Sequence, residues 1–400
     1  MRVFVTGVKG QLGYDVMNEL EKQGLEGIGV DIDEMDITDA DQVNKVIKEA
    51  APDAVIHCAA YTAVDAAEDN EEICRKVNAQ GTENIAKVCE ELDIKMMYIS
   101  TDYVFNGQGE RPWEPDDKRE PLNVYGQTKY EGELAIEEHV KKFFTVRIAW
   151  VFGVNGKNFI KTMLNLGKTH DHLTVVNDQT GSPTYTYDLA RLLVDMIQTD
   201  KYGRYHATNE GICTWYEFAC EIFKQAGMNV SVAPVSSDEY PAKAKRPSNS
   251  RMDKSKLTAN GFTPLPTWQD ALGRYLKAQA ILILISFVIS LIGLYIFHFM
   301  GWGIKVPLIA ALGIGFVDAL PIFGSGTAML PWAVWCAVNG NLKLAIGLLV
   351  LWAIMSIVRQ FIEPRIVSGQ IGIHPIFTLI AMYTGFKVIG VIGLLIGPIV

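Results

Sequence analysis

The chain has 400 residues, of which 36 are Lys or Arg and 45 are Asp or Glu, so its formal net charge is −9. Residues 1–278 hold 31 basic and 43 acidic residues, whereas residues 279–400 hold five basic and two acidic ones. An acidic first part argues against a nucleic-acid partner, because phosphate binding needs a surplus of Lys and Arg. The length suggests more than one domain.

Short apolar runs alternate with longer amphipathic segments over the first 150 residues. Buried strands are predicted at RVFVTG, GIGV, DAVIHCAA, KMMYIST and FTVRIAWVFG. Helices are predicted at GQLGYDVMNELEKQG, DADQVNKVIKEAA, NEEICRKVNAQGTENIAKVCEEL and NVYGQTKYEGELAIEEHVKK. This alternation predicts an α/β fold: a Rossmann-like, doubly wound parallel sheet with helices on both faces.

Shorter and mixed elements follow, which predicts a smaller substrate lobe packed on the sheet. We therefore expect a nucleotide-binding domain at 1–150, the substrate lobe at 151–278 and a third region at 279–400. The first residues, MRVFVTG, run directly into a predicted strand and do not resemble a signal peptide. The first two regions are therefore expected in the cytosol.

The segment VTGVKGQLG places Gly7, Gly10 and Gly13 between the first strand and the first helix. Glycines there let the backbone approach a pyrophosphate at a helix N-terminus, although the same pattern also occurs in ordinary tight turns. Asp31 closes the second strand, where a carboxylate can bond the ribose hydroxyls of an adenosine and repel a 2′-phosphate. The pattern predicts NADH or NADPH as cofactor and favours NADH; a solvated loop acid is the alternative for Asp31.

Tyr125 and Lys129 are four residues apart, so a helix places both side chains on one face. A phenol titrates near ~10, and a neighbouring ammonium favours its ionised form, which makes the phenol a better proton donor to a forming alkoxide. Ser100, Thr101 and Asp102 lie at the C-terminal edge of the strand KMMYIST, where ligands bind open α/β sheets. A glycine-rich turn, a strand-end hydroxyl and Tyr-xxx-Lys in this order predict a reductase.

The six cysteines show no CxxC spacing and no accompanying His cluster. This pattern predicts reduced thiols rather than disulfides or zinc ligands, and we expect no metal site.

These motifs resemble the extended short-chain dehydrogenase/reductases and, within them, the dTDP-4-dehydrorhamnose reductase family. The resemblance covers nearly all of 1–278 and is carried by TGVKGQLG, HCAAYTAVDAAE, STDYVFNGQGERPWEPDD, NVYGQTKYEGE, RIAWVFGVNGKNFIKTML, VNDQTGSPTYT and RPSNSRMD. One departure lies in HCAAYT, where the family leads us to expect Asn near His57.

The resemblance implies a role for each matching position. Tyr125 would donate the proton and contact the cofactor, Lys129 would hold the nicotinamide ribose and tune the phenol, and Thr101 would tune the phenol and touch the sugar. Asp102 and Trp150 would contact the sugar as well. The remaining implied positions lie along the cofactor: Gly10, Gln11 and Leu12 at the pyrophosphate, Asp36 and Ile37 at the adenine, and Ala59, Ala60 and Tyr61 along one side.

The implied reaction is hydride transfer to the C4 ketone of a dTDP-6-deoxy-hexulose, which gives dTDP-L-rhamnose. Arg246 and Arg251 could pair with the diphosphate of the substrate or could belong to a basic surface run. A homodimer is possible. The alternatives are a reductase or epimerase of another nucleotide sugar and a non-catalytic NAD(P)-binding regulatory subunit.

Residues 280–298 carry no formal charge and are long enough to span a bilayer. Further apolar blocks follow at 306–322, 327–339, 342–358 and 376–400. Basic residues before the first block and after the fourth would face the same side of the membrane, which is expected to be the cytosolic side. The enzyme is therefore expected on the cytosolic face of the cytoplasmic membrane, bound through residues 280–400.

The C-terminal region resembles the autoinducer-exporter-type permeases, which include sporulation membrane proteins. The resemblance lies in GFVDALPIFGSGTAMLPWAV and in the segment that starts at RQFIEPRIVSG, and it covers only the C-terminal half of such a permease. An intramembrane Asp318 would by default be functional. The resemblance implies that reductases of this type end near WQDALGRYLK and that the permease type contains RYLKAQ before a span. We therefore hypothesise a recombination or assembly junction near 274–279; a natural membrane-tethered reductase is the alternative.

Overall fold

The computed structural model describes residues 1–240, 242–318 and 324–367, and the statements below concern these residues. The chain divides into two compact units, Met1–Gly273 and Arg274–Val400. The first unit contains both the nucleotide-binding and the substrate parts expected from the sequence, and the boundary at 150 between them stays a prediction.

The strands are β1 (Arg2–Thr6), β2 (Glu26–Val30), β3 (Ala54–His57), β4 (Lys95–Thr101), β5 (Phe143–Ile148), β6 (Val151–Phe152), β7 (His172–Val176), β8 (Thr180–Gly181), β9 (Thr184–Tyr185), β10 (Gly203–His206), β11 (Cys213–Thr214) and β12 (Ser231–Val235). The α-helices are α1 (Gln11–Lys22), α2 (Ala40–Ala50), α3 (Val64–Ala67), α4 (Glu71–Arg75), α5 (Gly81–Glu91), α6 (Val124–His139), α7 (Phe159–Leu166), α8 (Thr186–Ile197), α9 (Trp215–Gln225), α10 (Ser255–Ala259), α11 (Trp268–Phe299), α12 (Pro307–Asp318), α13 (Gly324–Val338) and α14 (Leu342–Val367).

The central sheet of the first unit has six parallel strands in the order β10-β5-β4-β3-β1-β2. The five predicted strands are confirmed, but FTVRIAWVFG divides into β5 and β6. The sixth strand, β10, comes from the part of the chain assigned to the substrate lobe. The long helix predicted at 70–92 contains a π-helical turn, Lys76–Gln80, between α4 and α5. The fold class is confirmed as a Rossmann-like parallel sheet followed by a helical region.

Alternating side chains of the strands enter two separate apolar cores. Val3 and Val5 of β1 pack in a core with Leu12 of α1 and residues of α8. Phe4 points to the opposite face and packs in a core with Ile85 of α5 and residues of α2 and α6. The strands are therefore apolar on both faces, as a parallel sheet between two helical layers requires.

The order of the strands reverses at β1. β2 pairs with one edge of β1 and β3 pairs with the other, so the connections after β1 and β3 lead to opposite sides. A crevice forms beyond the carboxyl ends of the strands at such a reversal. Away from the sheet, three short strand pairs, β7 with β12, β8 with β11 and β6 with β9, build the smaller lobe.

The second unit is helical and has its own apolar core, which includes Ile289, Leu294, Leu348 and Met355. In the described part of the chain one helix, Trp268–Phe299, is long and apolar enough to cross a membrane, and Gly326–Val338 and Leu342–Val358 are shorter apolar helices. The block expected at 376–400 lies outside the described residues, as do residues 319–322 of the block expected at 306–322. The side chain of Asp318 also lies outside the described part of the structure.

Candidate active site

A cavity of about 700 Å³ lies at the carboxyl ends of the sheet strands, at the reversal of strand order. All sixteen site residues predicted from the sequence line it: Gly7, Gly10, Gln11, Leu12, Gly13, Asp31, Asp36, Ile37, Ala59, Ala60, Tyr61, Thr101, Asp102, Tyr125, Lys129 and Trp150. The structure therefore brings together groups that lie up to 143 positions apart in the sequence. Their individual roles remain predictions.

The glycine turn after β1 is compact. Gly7 has a φ of +72°, and the N–H of Gly10 donates to its carbonyl over 3.0 Å. A Cβ on Gly13 would lie 2.3 Å from that carbonyl oxygen, and a Cβ on Gly7 would lie 2.8 Å from the backbone of Ala59. Because α1 begins at Gln11 without a side-chain cap, free N–H groups remain at its N-terminus. The turn fits the pyrophosphate of a dinucleotide cofactor.

Asp31 lies at the end of β2, as predicted, but its carboxylate is partly engaged. Oδ2 accepts from the backbone N–H of Lys9 over 2.8 Å, and Oδ1 accepts from the N–H of Ile32 over 2.9 Å. The carboxylate thus ties β2 to the glycine turn. The ammonium of Lys9 pairs with Asp33 at the same edge of the cavity.

The opposite wall follows β3. The π-helical turn carries Asn78, whose side chain accepts from the N–H of Tyr61 over 2.8 Å and donates to the carbonyl of Tyr61 over 3.1 Å. Such turns are frequent at functional sites. His57, at the departure from the family pattern, contacts Thr6 over 2.7 Å and Thr82 over 3.1 Å. Burial lowers the pKa of His57 to about 3, so this side chain is neutral.

The helix α6 carries the predicted proton donor and its lysine. Its N-cap, Asn123, accepts from the N–H of Gly126 over 2.7 Å. The Nζ of Lys129 donates to the carbonyl of Ile99 over 2.7 Å and lies 4.0 Å from the ring centroid of Tyr98. Burial lowers the pKa of Lys129 to about 7, and the negative charge of Glu133 opposes this shift.

The pKa of Tyr125 differs from the expectation that a neighbouring ammonium would lower it. Burial raises this pKa, a hydrogen bond with Thr101 lowers it, and the charge of Asp102 raises it further. The ammonium of Lys129 is directed instead at the Ile99 carbonyl. The phenol therefore keeps its proton at neutral pH.

Asp102 is a buried carboxylate beside the phenol. The hydroxyl of Thr101 donates to its Oδ1 over 3.0 Å, and the hydroxyl of Ser250 donates to its Oδ2. Burial raises the pKa of Asp102 to about 6, against the opposing effect of these two hydrogen bonds. Asp102 is thus ionised at neutral pH and titrates just below it.

Trp150 lines the cavity next to β5 and has a φ of +49°, an unusual conformation for a bulky side chain. Its indole stacks on Trp215 with ring centroids 3.8 Å apart and an interplanar angle of 15°. A Cβ on Gly181 would lie 2.9 Å from the same indole. Trp215 and Gly181 therefore hold Trp150 in its place at the cavity wall.

The two arginines suggested for the diphosphate have protein partners. Arg246 forms two hydrogen bonds with Asp65, at 2.6 and 3.1 Å, and Arg251 donates to Asn249 over 3.1 Å. Neither arginine lines the cavity of the predicted residues.

Three residues at or behind the cavity were not predicted: Glu133, Trp215 and Ser250. Glu133 had a signal, because it follows Lys129 at the spacing that separates Lys129 from Tyr125. Ser250 lies in the RPSNSRMD motif, but nothing in that motif indicates its contact with Asp102. Trp215 had no signal, since it reaches Trp150 only through the packing of the smaller lobe.

Comparisons with known proteins agree with this geometry. The model of the RmlD substrate binding domain matches residues 1–281, and the model of the AI-2E family transporters matches residues 251–400. The spore coat polysaccharide biosynthesis protein SpsK of Bacillus subtilis is 37% identical over 70% of this chain and 98% of its own length. The dTDP-4-dehydrorhamnose reductase of Mycobacterium tuberculosis is 38% identical over 70% of this chain and 93% of its own length.

Solved structures extend the comparison. A dTDP-4-dehydrorhamnose reductase from Clostridium acetobutylicum has 42% identity and a TM-score of 0.68, over 69% of this chain and 99% of its own. The corresponding reductase from Bacillus anthracis, solved in complex with NADP, has 42% identity and a TM-score of 0.67, over 69% of this chain and 98% of its own.

The parallel sheet, the glycine turn and the Tyr–Lys pair on one cavity define the class: an NAD(P)H-dependent oxidoreductase with a Rossmann-like fold. Within that class, the chain belongs to the RmlD substrate binding domain family, together with the dTDP-4-dehydrorhamnose reductases. The residues beyond this domain are similar to AI-2E family transporters, and the two matches overlap at 251–281.

Proposed function

We propose that this enzyme reduces dTDP-4-dehydro-6-deoxy-L-mannose to dTDP-L-rhamnose, using NADH or NADPH. The names of its relatives support the substrate. The observation that carries the proposal is the joint position of Tyr125, Lys129 and Thr101 on the cavity that also holds the glycine turn.

Different side chains have different roles in the reaction. The nicotinamide, when bound, supplies a hydride to C4 of the ketone. Tyr125 gives its phenolic proton to the C4 oxygen, so the ketone gains one hydride and one proton and becomes an alcohol. Because burial keeps the phenol protonated at neutral pH, the proton is present when negative charge develops on that oxygen. Thr101 orients the phenol, and Lys129 holds the nicotinamide ribose.

Asp102 and Trp150 are proposed to contact the sugar. Asp102 is an ionised acceptor beside the phenol, and Trp150 offers an indole face at the cavity wall. Together they would orient C4 toward Tyr125. A homodimer remains a prediction, as does the absence of a nucleic-acid partner.

We propose that both cofactors are used and that NADH is favoured. A carboxylate at Asp31 disfavours a 2′-phosphate, while the relative from Bacillus anthracis binds NADP. The ratio of kcat/KM for NADH and NADPH measures the preference. Asp31→Asn is expected to move this ratio toward NADPH, and an unchanged ratio would remove Asp31 from the explanation.

The function is tested by mixing the full chain in detergent with NADPH or NADH and dTDP-4-dehydro-6-deoxy-L-mannose. We expect oxidation of the cofactor at 340 nm and dTDP-L-rhamnose as the product identified by NMR. Cofactor oxidation only with another nucleotide sugar would support the first alternative. Cofactor binding without turnover on any nucleotide sugar would support a regulatory subunit.

We further propose that residues 280–400 tether the enzyme to the cytoplasmic membrane, with the reductase on the cytosolic side. The apolar helix Trp268–Phe299 supports this, as do the exposed side chains of Phe299, Trp335 and Val338, which are 81%, 68% and 81% accessible. The full chain should sediment with membranes and resist carbonate, while residues 1–278 should stay in the supernatant. A carbonate-soluble full chain would contradict the tether.

It remains a hypothesis that two coding segments were joined near residues 274–279. The overlap of the two family matches at 251–281 and the division of the chain after Gly273 support it. Independent sequencing reads of uncloned source DNA across the codons for 270–285 test it. An intact junction in every read would favour a natural tethered reductase instead.

A further inference from the structure

Glu133 is a fully buried carboxylate on the inner side of α6, one turn beyond Lys129. Arg147 donates to it from Nε over 2.8 Å and from Nη2 over 2.7 Å. Ser100 donates over 2.5 Å and Arg119 over 2.9 Å. Removing such an ion pair from water costs free energy that its attraction often fails to recover. Its position beneath the reactive residues therefore calls for an explanation beyond stability.

Two connections lead from Glu133 to Lys129. The first is direct, because residues four apart on a helix lie on the same face. The second passes through β4: Ser100, which donates to Glu133, follows Ile99, whose carbonyl accepts from the Nζ of Lys129. Glu133 thus holds the strand end that seats the ammonium and also supplies a negative charge near it.

Asp102 is ionised beside Tyr125 but is not among the groups whose charge acts on Lys129, and the other titratable groups near Lys129 are neutral at pH 7. Burial raises the pKa of Cys58 to about 12 and raises those of Cys74, Tyr98 and Tyr125, while burial lowers that of His57 to about 3. Hydrogen bonds and the charge of Arg147 hold the pKa of Glu133 at about 2 despite its burial. Among the described groups whose charge acts on Lys129, Glu133 alone is negatively charged at pH 7.

We propose that Glu133 is a positioning residue for the reductase reaction: it seats the ammonium of Lys129 on the Ile99 carbonyl and keeps that ammonium charged for the cofactor ribose. This inference rests on the proposed function, since it assigns Lys129 to the nicotinamide ribose. Glu133 itself touches neither the substrate nor the cofactor.

The test follows the pH dependence of NADPH binding, measured by fluorescence on the full chain in detergent without sugar. In the wild type, affinity should fall as Lys129 loses its proton near pH 7. Glu133→Gln removes the charge that favours the ammonium. The pH at which NADPH affinity falls should therefore be at least about one unit lower than in the wild type, which is a tenfold change in the ionisation constant of Lys129. The kcat/KM profile should move in the same direction.

Two variants separate charge from shape. Glu133→Asp keeps the charge and should leave the fall near its wild-type pH. Glu137→Gln removes a carboxylate one turn further along α6, which pairs with Arg119 and Arg204, and should also leave the fall in place. A Glu133→Gln profile that coincides with the wild type, with only a lower melting temperature, would overturn the proposal.

If Glu133→Gln does not fold, both partners of the Glu133–Arg147 ion pair are replaced together, as Glu133→Gln with Arg147→Met. Replacing both partners of a buried ion pair is often tolerated. The same downward movement is expected, and an unmoved profile would overturn the proposal. Because binding is measured without sugar, a wild type that fails to reduce the dTDP-sugar would refute the proposed function and leave this test intact.

Discussion

The two ends of the cavity are built from different parts of the polypeptide. At the cofactor end, backbone atoms form the surface: the carbonyl of Gly7, the free N–H groups at the start of α1, and the close approach of the turn to Ala59. At the chemical end, side chains from distant segments meet, as when Ser250 reaches Asp102 across 148 positions. A backbone site depends on which residues have no side chain, whereas a side-chain site depends on the packing of the whole unit. Substitutions at the two ends should therefore separate cofactor affinity from turnover.

The largest effect is expected at the chemical end. Tyr125→Phe removes the proposed proton donor and should lower kcat by about a thousandfold, within the range for loss of a general acid. The Kd for NADPH should change by less than about twofold, because the phenol is not part of the glycine turn. Tyr130→Phe, on the same helix and outside the cavity, is the matched control and should keep full activity. Turnover that survives in Tyr125→Phe would assign the proton to another group.

The cofactor end should show the reverse pattern. Gly13→Ala places a methyl group 2.3 Å from the Gly7 carbonyl oxygen, so the turn must open. Overpacking of this kind costs roughly 1–3 kcal/mol, and we expect the Kd for NADPH to rise by about a hundredfold. Gly273→Ala lies outside the cavity and meets only the flexible end of the Gln225 side chain, at 3.1 Å, so it should have a much smaller effect. Equal losses in the two variants, measured by fluorescence titration, would contradict the steric explanation.

The difference between the two ends also explains how far the sequence could be interpreted. The glycine turn, Asp31 and the Tyr–Lys pair lie in local patterns, so their spacing alone predicted that they share a site. Residues 70–92 were predicted as one helix, because the periodicity of apolar residues does not distinguish a π-helical turn from the α-helix around it. The predicted direction of the pKa shift of Tyr125 was wrong, since this shift depends on burial and on the carbonyl that attracts Lys129.

Trp215 tests a contact that the sequence could not indicate. Trp215→Leu removes the ring that stacks on Trp150, so the indole should lose its fixed place at the proposed sugar end of the cavity. An aromatic pair contributes roughly 0.5–1.5 kcal/mol, and we expect the KM for the dTDP-sugar to rise by about tenfold while the Kd for NADPH stays unchanged. The signal of the coupled indoles in near-ultraviolet circular dichroism should disappear. Trp215→Phe should restore most of the affinity, and a KM as high as that of the leucine variant would refute a role for stacking.

The smallest effect is expected from the hydrogen bond on Asp102. Burial raises the pKa of Asp102 to about 6, and the hydroxyl of Ser250 opposes this rise by stabilising the ionised form. Ser250→Ala should therefore raise the pKa further, and the acidic step of the kcat/KM profile should move upward from about pH 6. A hydrogen bond to a charged group is worth roughly 1.5 kcal/mol or more, which corresponds to about one pH unit. At pH 8.5 Asp102 should be ionised in both the wild type and Ser250→Ala, and their kcat/KM values should differ by less than about threefold. Ser248→Ala is the matched control, because Ser248 donates to the Gly107 carbonyl instead of to Asp102. A step that stays near pH 6 in Ser250→Ala would show that the titrating group at the chemical end is not Asp102.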